Sequence, residues 1–279
     1  MKILIKKHIL PLLLSAVLIL GLFCSCSVRI STTEKPQTQS VSNTVRVTFP
    51  EGFTAAETAK RLEENGVCSA DEFLTAINDP AYLEGFDFVI DNPGDRSFLL
   101  EGYLFPDTYD FYIGENTGSV IKKFLRNTES KLTPEMKSRC IELGYSVDEI
   151  LRIASVIQEE AGNPAEMKKV SSVLHNRLNS SSFPKLQCDC TIFYLRDNVA
   201  SYVTEERLEE LKELYSTYKC DGLPAGPITN SGIDAVMAAL YPENTDYYFF
   251  VTDPDNNYYY AETWSEHKEN CALCGIETN

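Results

Sequence analysis

The stretch from Ser146 to Gly162 constrains the fold of this chain more than any other. Ser146-Val-Asp-Glu149 is a capping box, in which the serine and glutamate side chains accept each other's free backbone N–H and so open a helix. At about 100° per residue, a helix from Val147 to about Ala161 gathers Ile150, Ile153, Ala154 and Ile157 on one face, with Val156 at its edge. Arg152 and Glu159 are expected on the opposite side, towards water. Glu160 falls seven residues after Ile153 and three after Ile157, so it lies with the apolar set. A carboxyl on that stripe has two readings. Desolvation raises its pKa, as a general acid at neutral pH requires. Alternatively its stem packs while its head reaches solvent.

The next helix is capped by Asn163-Pro-Ala-Glu166 and runs to about Leu178, with Met167, Val170, Val173, Leu174 and Leu178 as its buried stripe. Arg177 sits on that stripe's side, as a structural salt-bridge partner or a ligand clamp. His175 and Asn176 point elsewhere. Phe183–Tyr194 then places Gln187, Asp189 and Thr191 at alternating positions, as on one side of an extended segment. Three such groups suit a ligand rich in hydroxyls and amides, such as a sugar. The 15 Tyr and 14 Phe suit carbohydrate stacking and suit a core equally well.

Elsewhere the pattern is α+β. Val45–Phe49 alternates like a half-buried strand, and Thr54-Ala-Ala-Glu57 opens a helix that stops at Gly66. Another helix opens at Ser69-Ala-Asp-Glu72, which makes residues 44–92 a small α/β module. Leu100–Tyr109 reads as irregular and aromatic. Helices are expected from Thr133 to Gly144, over Glu205–Tyr215 and over Ile233–Leu240, with a rigid loop at Gly222-Leu-Pro-Ala-Gly-Pro227. Asp246–Val251 and Asn257–Ala261 flank Asp253-Pro-Asp-Asn as a β-hairpin.

The first 27 residues carry Lys2, Lys6 and Lys7 ahead of an apolar run from Ile9 to Phe23, the pattern of a signal segment or a membrane anchor. Cys24 and Cys26 close that run and make lipidation an alternative form of attachment. Residues 28–43, rich in Ser, Thr and Gln, read as a flexible linker. The remainder is therefore expected at the cell membrane, on its extracytoplasmic side. A formal charge of −16 would repel a phosphate backbone, which argues against nucleic acid as a partner. Seven cysteines remain beyond the leader, an odd number that excludes a complete internal disulfide framework. Cys188-x-Cys190 with Cys271-x-x-Cys274 is a weak zinc pattern, and a disulfide at Cys220 or the tail pair is the other alternative to free thiols. With three histidines in the chain, no metal or other cofactor is expected.

Several blocks in order carry a resemblance: Ala154-Ser-Val-Ile-Gln-Glu-Glu-Ala-Gly162, Lys169-Val-x-x-Val-x-x-Asn-Arg-Leu178, Leu186-Gln-x-Asp-x-Thr191 with Tyr194, Tyr215-x-Thr-Tyr218, Gly222-Leu-Pro-x-Gly-Pro-Ile228, and Thr245-Asp-Tyr-x-x-Phe-Val251 with Glu266-His267. Together they resemble the YceG-like family of endolytic peptidoglycan transglycosylases, over about residues 98–267. Glu101-Gly-Tyr-Leu-Phe-Pro-Asp-Thr108 resembles the family's segment ahead of its catalytic domain, and Phe49-Pro-Glu-Gly52 with its helix resembles the LysM-like module. The resemblance implies a LysM-like α/β module at 44–92, followed by a mixed α/β catalytic domain at 93–279.

It further implies that Glu160 protonates the glycosidic oxygen between N-acetylmuramic acid and N-acetylglucosamine. The muramyl 6-hydroxyl then attacks C1 and leaves a 1,6-anhydro end. Gln187, Asp189, Asn176, Arg177, Tyr218 and Thr191 are the implied substrate-binding positions. Glycan strands, the membrane and peptidoglycan synthases are the implied partners. The chain departs from the family pattern at Gln158, which replaces an acid, and at Cys188, Cys190, Ser216 and Ala225. A two-carboxylate glycoside hydrolase using Glu160 with Asp189 or Glu159, and a non-catalytic wall-binding protein, are the competing readings.

Overall fold

The two strands of the first sheet are about 60 residues apart in sequence. In the computed structural model, which describes residues 43–277, β1 (Thr44–Thr48) pairs antiparallel with β2 (Thr108–Tyr112), Thr48 facing Thr108. β2 lies within and just beyond the stretch read from sequence as irregular. Its alternation, with Tyr109 and Phe111 inward and Thr108, Asp110 and Tyr112 outward, is that of a half-buried strand. Between the strands come α1 (Ala55–Glu64), with the expected Thr54/Glu57 capping box, and α2 (Ala70–Ala76). The 44–92 segment thus completes its sheet with chain from beyond residue 92.

The inner face of that sheet is closed by α3 (Thr117–Lys131), a helix that sequence pattern did not reveal. Its Phe124 ring packs 4.5 Å from Tyr109 and 5.1 Å from Phe49, centroid to centroid. Asn116 caps it by accepting from the Ser119 N–H. α4 (Pro134–Leu143) ends at Gly144 in the left-handed conformation, φ 80°. α5 (Val147–Glu160) and α6 (Pro164–Leu178) then run as read from sequence, with the Ser146/Glu149 box and the Asn163 cap both formed.

After α6 the described residues form four more α-helices, of which the first and last are not evident in the sequence pattern and the middle two are. α7 (Cys190–Tyr194) runs into a π-turn at Leu195–Val199, and α8 (Glu205–Tyr215) follows. α9 (Ile233–Leu240) packs on both α5 and α6, where Ser171 Oγ donates to the Ala238 carbonyl at 2.7 Å. The hairpin forms as β3 (Phe249–Thr252) against β4 (Tyr258–Ala261), and α10 (Trp264–Leu273), unannounced by pattern, is the last element among the described residues.

Two loops are locked to each other at Gly102, whose φ of +84° and whose approach to the Pro227 ring leave no room for a side chain: an added Cβ would lie 2.4 Å from Pro227 Cγ. The Leu100–Phe105 strip and the Gly222–Pro227 loop both reach α5 as well, through the Tyr103 hydroxyl to Asp148 and through the Pro224 carbonyl to Arg152.

The helical wheel of α5 needs one correction. Ile150, Ile153, Ala154, Val156 and Ile157 are buried as expected, but Arg152 is buried too, 9% exposed. Its side covers Asp148, which is fully buried, and the Asp91 loop. Arg152 Nη2 pairs with Asp148 at 2.9 Å and with Asp91 at 3.1 Å, while Arg96 and the Tyr103 hydroxyl complete the partners of Asp148. A wheel gives an angle, not what lies across from it. A loop carrying complementary charge turned this polar side into a second interior.

The leader at 1–27 and the linker at 28–43, apart from Asn43, lie outside the described residues. Among the described residues no helix is long and apolar enough to cross a membrane. The seven cysteines from Cys68 to Cys274 are free thiols. No group of three or more His, Cys, Asp or Glu among the described residues is placed to hold a metal.

Candidate active site

Glu160 is the last residue of α5, where the chain leaves the helix through Ala161 in an extended conformation. The apolar face of α5 carries it inward, and its carboxyl is half-buried between two cavities. The first, about 360 Å³, is lined by Glu160 and Asp189 together with Thr54, Glu57, Glu159 and Asn198. The second, about 460 Å³, is lined by Glu160 and Asp189 together with Arg177, Gln187, Tyr218 and Trp264. Glu160 and Asp189 are thus shared by both.

The electrostatics of Glu160 follow from this placement. Burial holds its carboxyl above the usual carboxylate range, and the nearby charge of Asp189 adds to that, while hydrogen bonds from the Cys190 thiol and backbone N–H oppose it. Its neighbour Glu159 keeps to the cavity side, in part open to water. Partial removal from water, reinforced by Glu57 and Glu160, pushes its carboxyl up to about 7. Gln158 precedes these two acids on α5. It accepts from the Gly232 N–H at 2.9 Å and so fixes the loop ahead of α9.

The stretch around Asp189 differs from expectation. It is not an extended segment with three groups on one side. Gln187 takes a left-handed backbone, φ 58°, which turns the chain, and Asp189 then precedes the first turn of α7. Asp189 is exposed and accepts from the Tyr218 hydroxyl at 2.9 Å. Burial, then Asp189 itself, raises the pKa of that phenol. Thr191 is fully buried. Its hydroxyl donates to the Cys188 carbonyl at 2.9 Å and lies 3.3 Å from Thr217 Oγ1, so it secures the turn and faces no cavity. The cause is the helix: α7 has period 3.6 where a strand has period 2, which rotates Thr191 inward.

Arg177 does not pair with Glu160. Its Nε donates to the Lys185 carbonyl and its Nη1 to the Tyr248 carbonyl, both at 2.8 Å, and its Nη2 donates to Gln187 Oε1. The guanidinium lies 5.3 Å from the Phe249 ring centroid. It therefore braces Gln187 and the hairpin while lining the second cavity. Asn176 donates to the Thr245 and Tyr247 carbonyls, at 2.8 and 2.9 Å, and holds the approach to β3. Of the seven positions marked in the sequence, Glu160, Asp189, Gln187, Arg177 and Tyr218 come together at the second cavity. Asn176 and Thr191 support it from behind.

Several neighbours escaped the sequence reading. Thr217 Oγ1 accepts from the Cys188 N–H at 2.9 Å, and the Thr217 backbone carbonyl accepts from the Gln187 N–H at 3.1 Å. It lay inside the Tyr215–Tyr218 block but was not singled out. Glu101, fully buried, accepts from the Ala55 N–H at 2.9 Å, Asn230 Nδ2 at 2.8 Å and the Tyr194 hydroxyl at 3.1 Å. Burial pushes its carboxyl up to about 8 against those bonds and one from the Gly102 backbone N–H. It joins the start of α1 to Tyr194, which lines the first cavity. The only signal was the Glu101-Gly-Tyr-Leu-Phe-Pro block that contains it.

Residues 29–272 match the YceG-like family. An endolytic murein transglycosylase of Bacillus subtilis (strain 168) is 30% identical over 232 residues, which is 80% of this chain and 63% of the relative. A protein of the same description from Streptococcus pneumoniae (serotype 2, strain D39) is 27% identical over 264 residues, 86% of this chain and 46% of the relative. The chain thus spans less than two thirds of the length of either. A crystal structure of a YceG-like protein from Listeria monocytogenes superposes with a TM-score of 0.68 at 30% identity, over 81% of this chain and 75% of that one.

Proposed function

The chain belongs to the YceG-like family, and from that premise we propose that it is an endolytic lytic transglycosylase of peptidoglycan, with Glu160 as its general acid and base. Glu160 protonates the oxygen between N-acetylmuramic acid and N-acetylglucosamine. It then takes the proton of the muramyl 6-hydroxyl as that oxygen closes on C1, so the new end is a 1,6-anhydro sugar and no water is added. Because the attacking group belongs to the substrate, one essential carboxyl suffices, where a hydrolase normally needs two. The observation that carries this reading is the position of Glu160, whose carboxyl is held above its usual pKa at the junction of two cavities. A strand laid through both would have its scissile oxygen beside that proton.

Asp189 and Tyr218 would position the sugar on the second side, with Gln187 fixed by Arg177. We read the β1–α1–α2–β2 unit as the LysM-like module, residues 1–27 as the attachment to the membrane, and the folded part as extracytoplasmic, where nascent strands and the synthases that make them are met. Asp189 shares both cavities with Glu160, and this favours the two-carboxylate hydrolase as the second reading.

Mass spectrometry of digested, uncross-linked glycan in water enriched in oxygen-18 separates the two. Transglycosylation gives anhydromuramyl ends without label, and hydrolysis gives labelled reducing ends. The Glu160→Gln variant should release either product far more slowly, and undiminished cleavage by it would refute the assignment.

A further inference from the structure

The end of α5 leaves two backbone groups without helical partners, and both lie next to the proposed acid. In an uninterrupted helix the Glu160 carbonyl would accept from the N–H four residues on, but that residue is Pro164, which has none. The Gly162 N–H likewise falls in the connection between the two helices. One side chain satisfies both. The Tyr258 hydroxyl donates to the Glu160 carbonyl at 3.0 Å and accepts from the Gly162 N–H at 3.0 Å.

Tyr258 begins β4, and its strand partner is Thr252 at the end of β3. Residues Phe249–Thr252 form a wall of the second cavity. The same phenol therefore fixes the backbone of the acid relative to the wall against which substrate would lie. Within the Tyr258-Tyr-Tyr260 run the side chains alternate as a strand requires. Tyr260, on the same face, donates to Glu166 Oε2 at 2.7 Å in the first turn of α6, and Tyr259 turns away to Asp253. The hairpin is thus tied to the α5–α6 corner at two points, of which only one touches Glu160.

Resting on the reading of Glu160 as the acid, we infer that Tyr258 is a positioning residue for it, which sets where the carboxyl stands by holding the backbone at both sides of the helix end. The two tyrosines give an internal control. Tyr258→Phe and Tyr260→Phe each remove one hydroxyl tie from the same strand and keep both rings. The purified chain is assayed with uncross-linked glycan strands of defined length, and kcat, KM and melting temperature are measured for each variant.

Tyr258→Phe should lower kcat on the order of tenfold with KM within about twofold of the parent, because a small displacement of a reacting group acts on the chemical step. Both variants should lower the melting temperature by similar amounts, and Tyr260→Phe should leave kcat within about twofold. Equal kcat in both variants, whether both unchanged or both reduced, overturns the inference. Failure of the underlying reading looks different: the unaltered chain then releases no anhydromuramyl ends, or Glu160→Gln releases them at an undiminished rate.

Discussion

Glu101 and Glu160 are both carboxyls withdrawn from water, and burial raises the pKa of each. Their surroundings differ in every other respect. Glu101 has no exposed surface and is met by donors from the first turn of α1, from Asn230, from Tyr194 and from the Gly102 backbone. It borders no cavity. Glu160 has one neighbour that donates to it, Cys190, and opens onto space on two sides. A perturbed acid is thus not by itself a catalytic one. The first carboxyl is surrounded by protein hydrogen bonds and acts as a joint, while the second has been left places where substrate atoms can stand.

Glu160→Gln is the most severe test of that difference. The amide keeps the shape of the side chain and cannot give up a proton. Cleavage should fall by about 10²- to 10⁴-fold, with the melting temperature close to the parent's because the side chain is only half-buried. Release of anhydromuramyl ends and a thermal melt of the same sample check the two halves of this claim. If Glu160→Gln cleaves normally and Glu101→Gln does not, the roles are reversed.

The sequence made one of these carboxyls visible and hid the other, for a physical reason. α5 announces itself through a local capping box and a 3.6-residue stripe, so the inward position of Glu160 follows from spacing alone. Glu101 depends on partners 46, 93 and 129 residues away, which no local period records. β2 was missed on the same ground, since its alternation gains meaning only against β1. α3 opens with Thr117-Gly-Ser119, weak helix formers, and is secured by the Phe124 ring under the sheet. Thr191 shows the converse error, in which a two-residue alternation looked like a strand and proved to be the entry to a helical turn.

Replacing Glu101 should cost stability where replacing Glu160 does not. Glu101→Ala leaves the Ala55 N–H, the Asn230 amide and the Tyr194 hydroxyl buried with no acceptor at that point, a loss of roughly 3 kcal/mol or more. Denaturant titration at fixed pH measures it, and a loss within about 0.5 kcal/mol would remove Glu101 from its role as a joint. Glu101→Gln should be far milder near neutral pH, because the protein already holds this carboxyl protonated. The sign of its pH dependence follows. The folded value of about 8 stands above the ordinary 4.5, so the contribution is whole below about pH 4.5 and is lost as the pH rises to about 8. In a stability profile over that window, the Glu101→Gln variant should slope less than the parent.

The smallest effect expected belongs to Asp189, and it bears on whether Glu160 acts alone. Asp189 adds its charge to the burial that raises the Glu160 pKa, and it accepts from the Tyr218 hydroxyl. In Asp189→Asn the amide oxygen can still accept from that hydroxyl, so the sugar-facing geometry is largely kept while the charge is removed. Glu160 then loses its proton at lower pH, and the alkaline limb of the pH–rate profile moves down, with a rate loss of several-fold at the optimum. A second catalytic carboxylate would behave otherwise. Its removal would cost about 10²-fold or more at every pH, because the limiting defect would be a missing base or nucleophile and not a shifted acid. A displaced limb with most of the rate retained therefore marks a single-acid enzyme, and a flat, deep loss marks a pair.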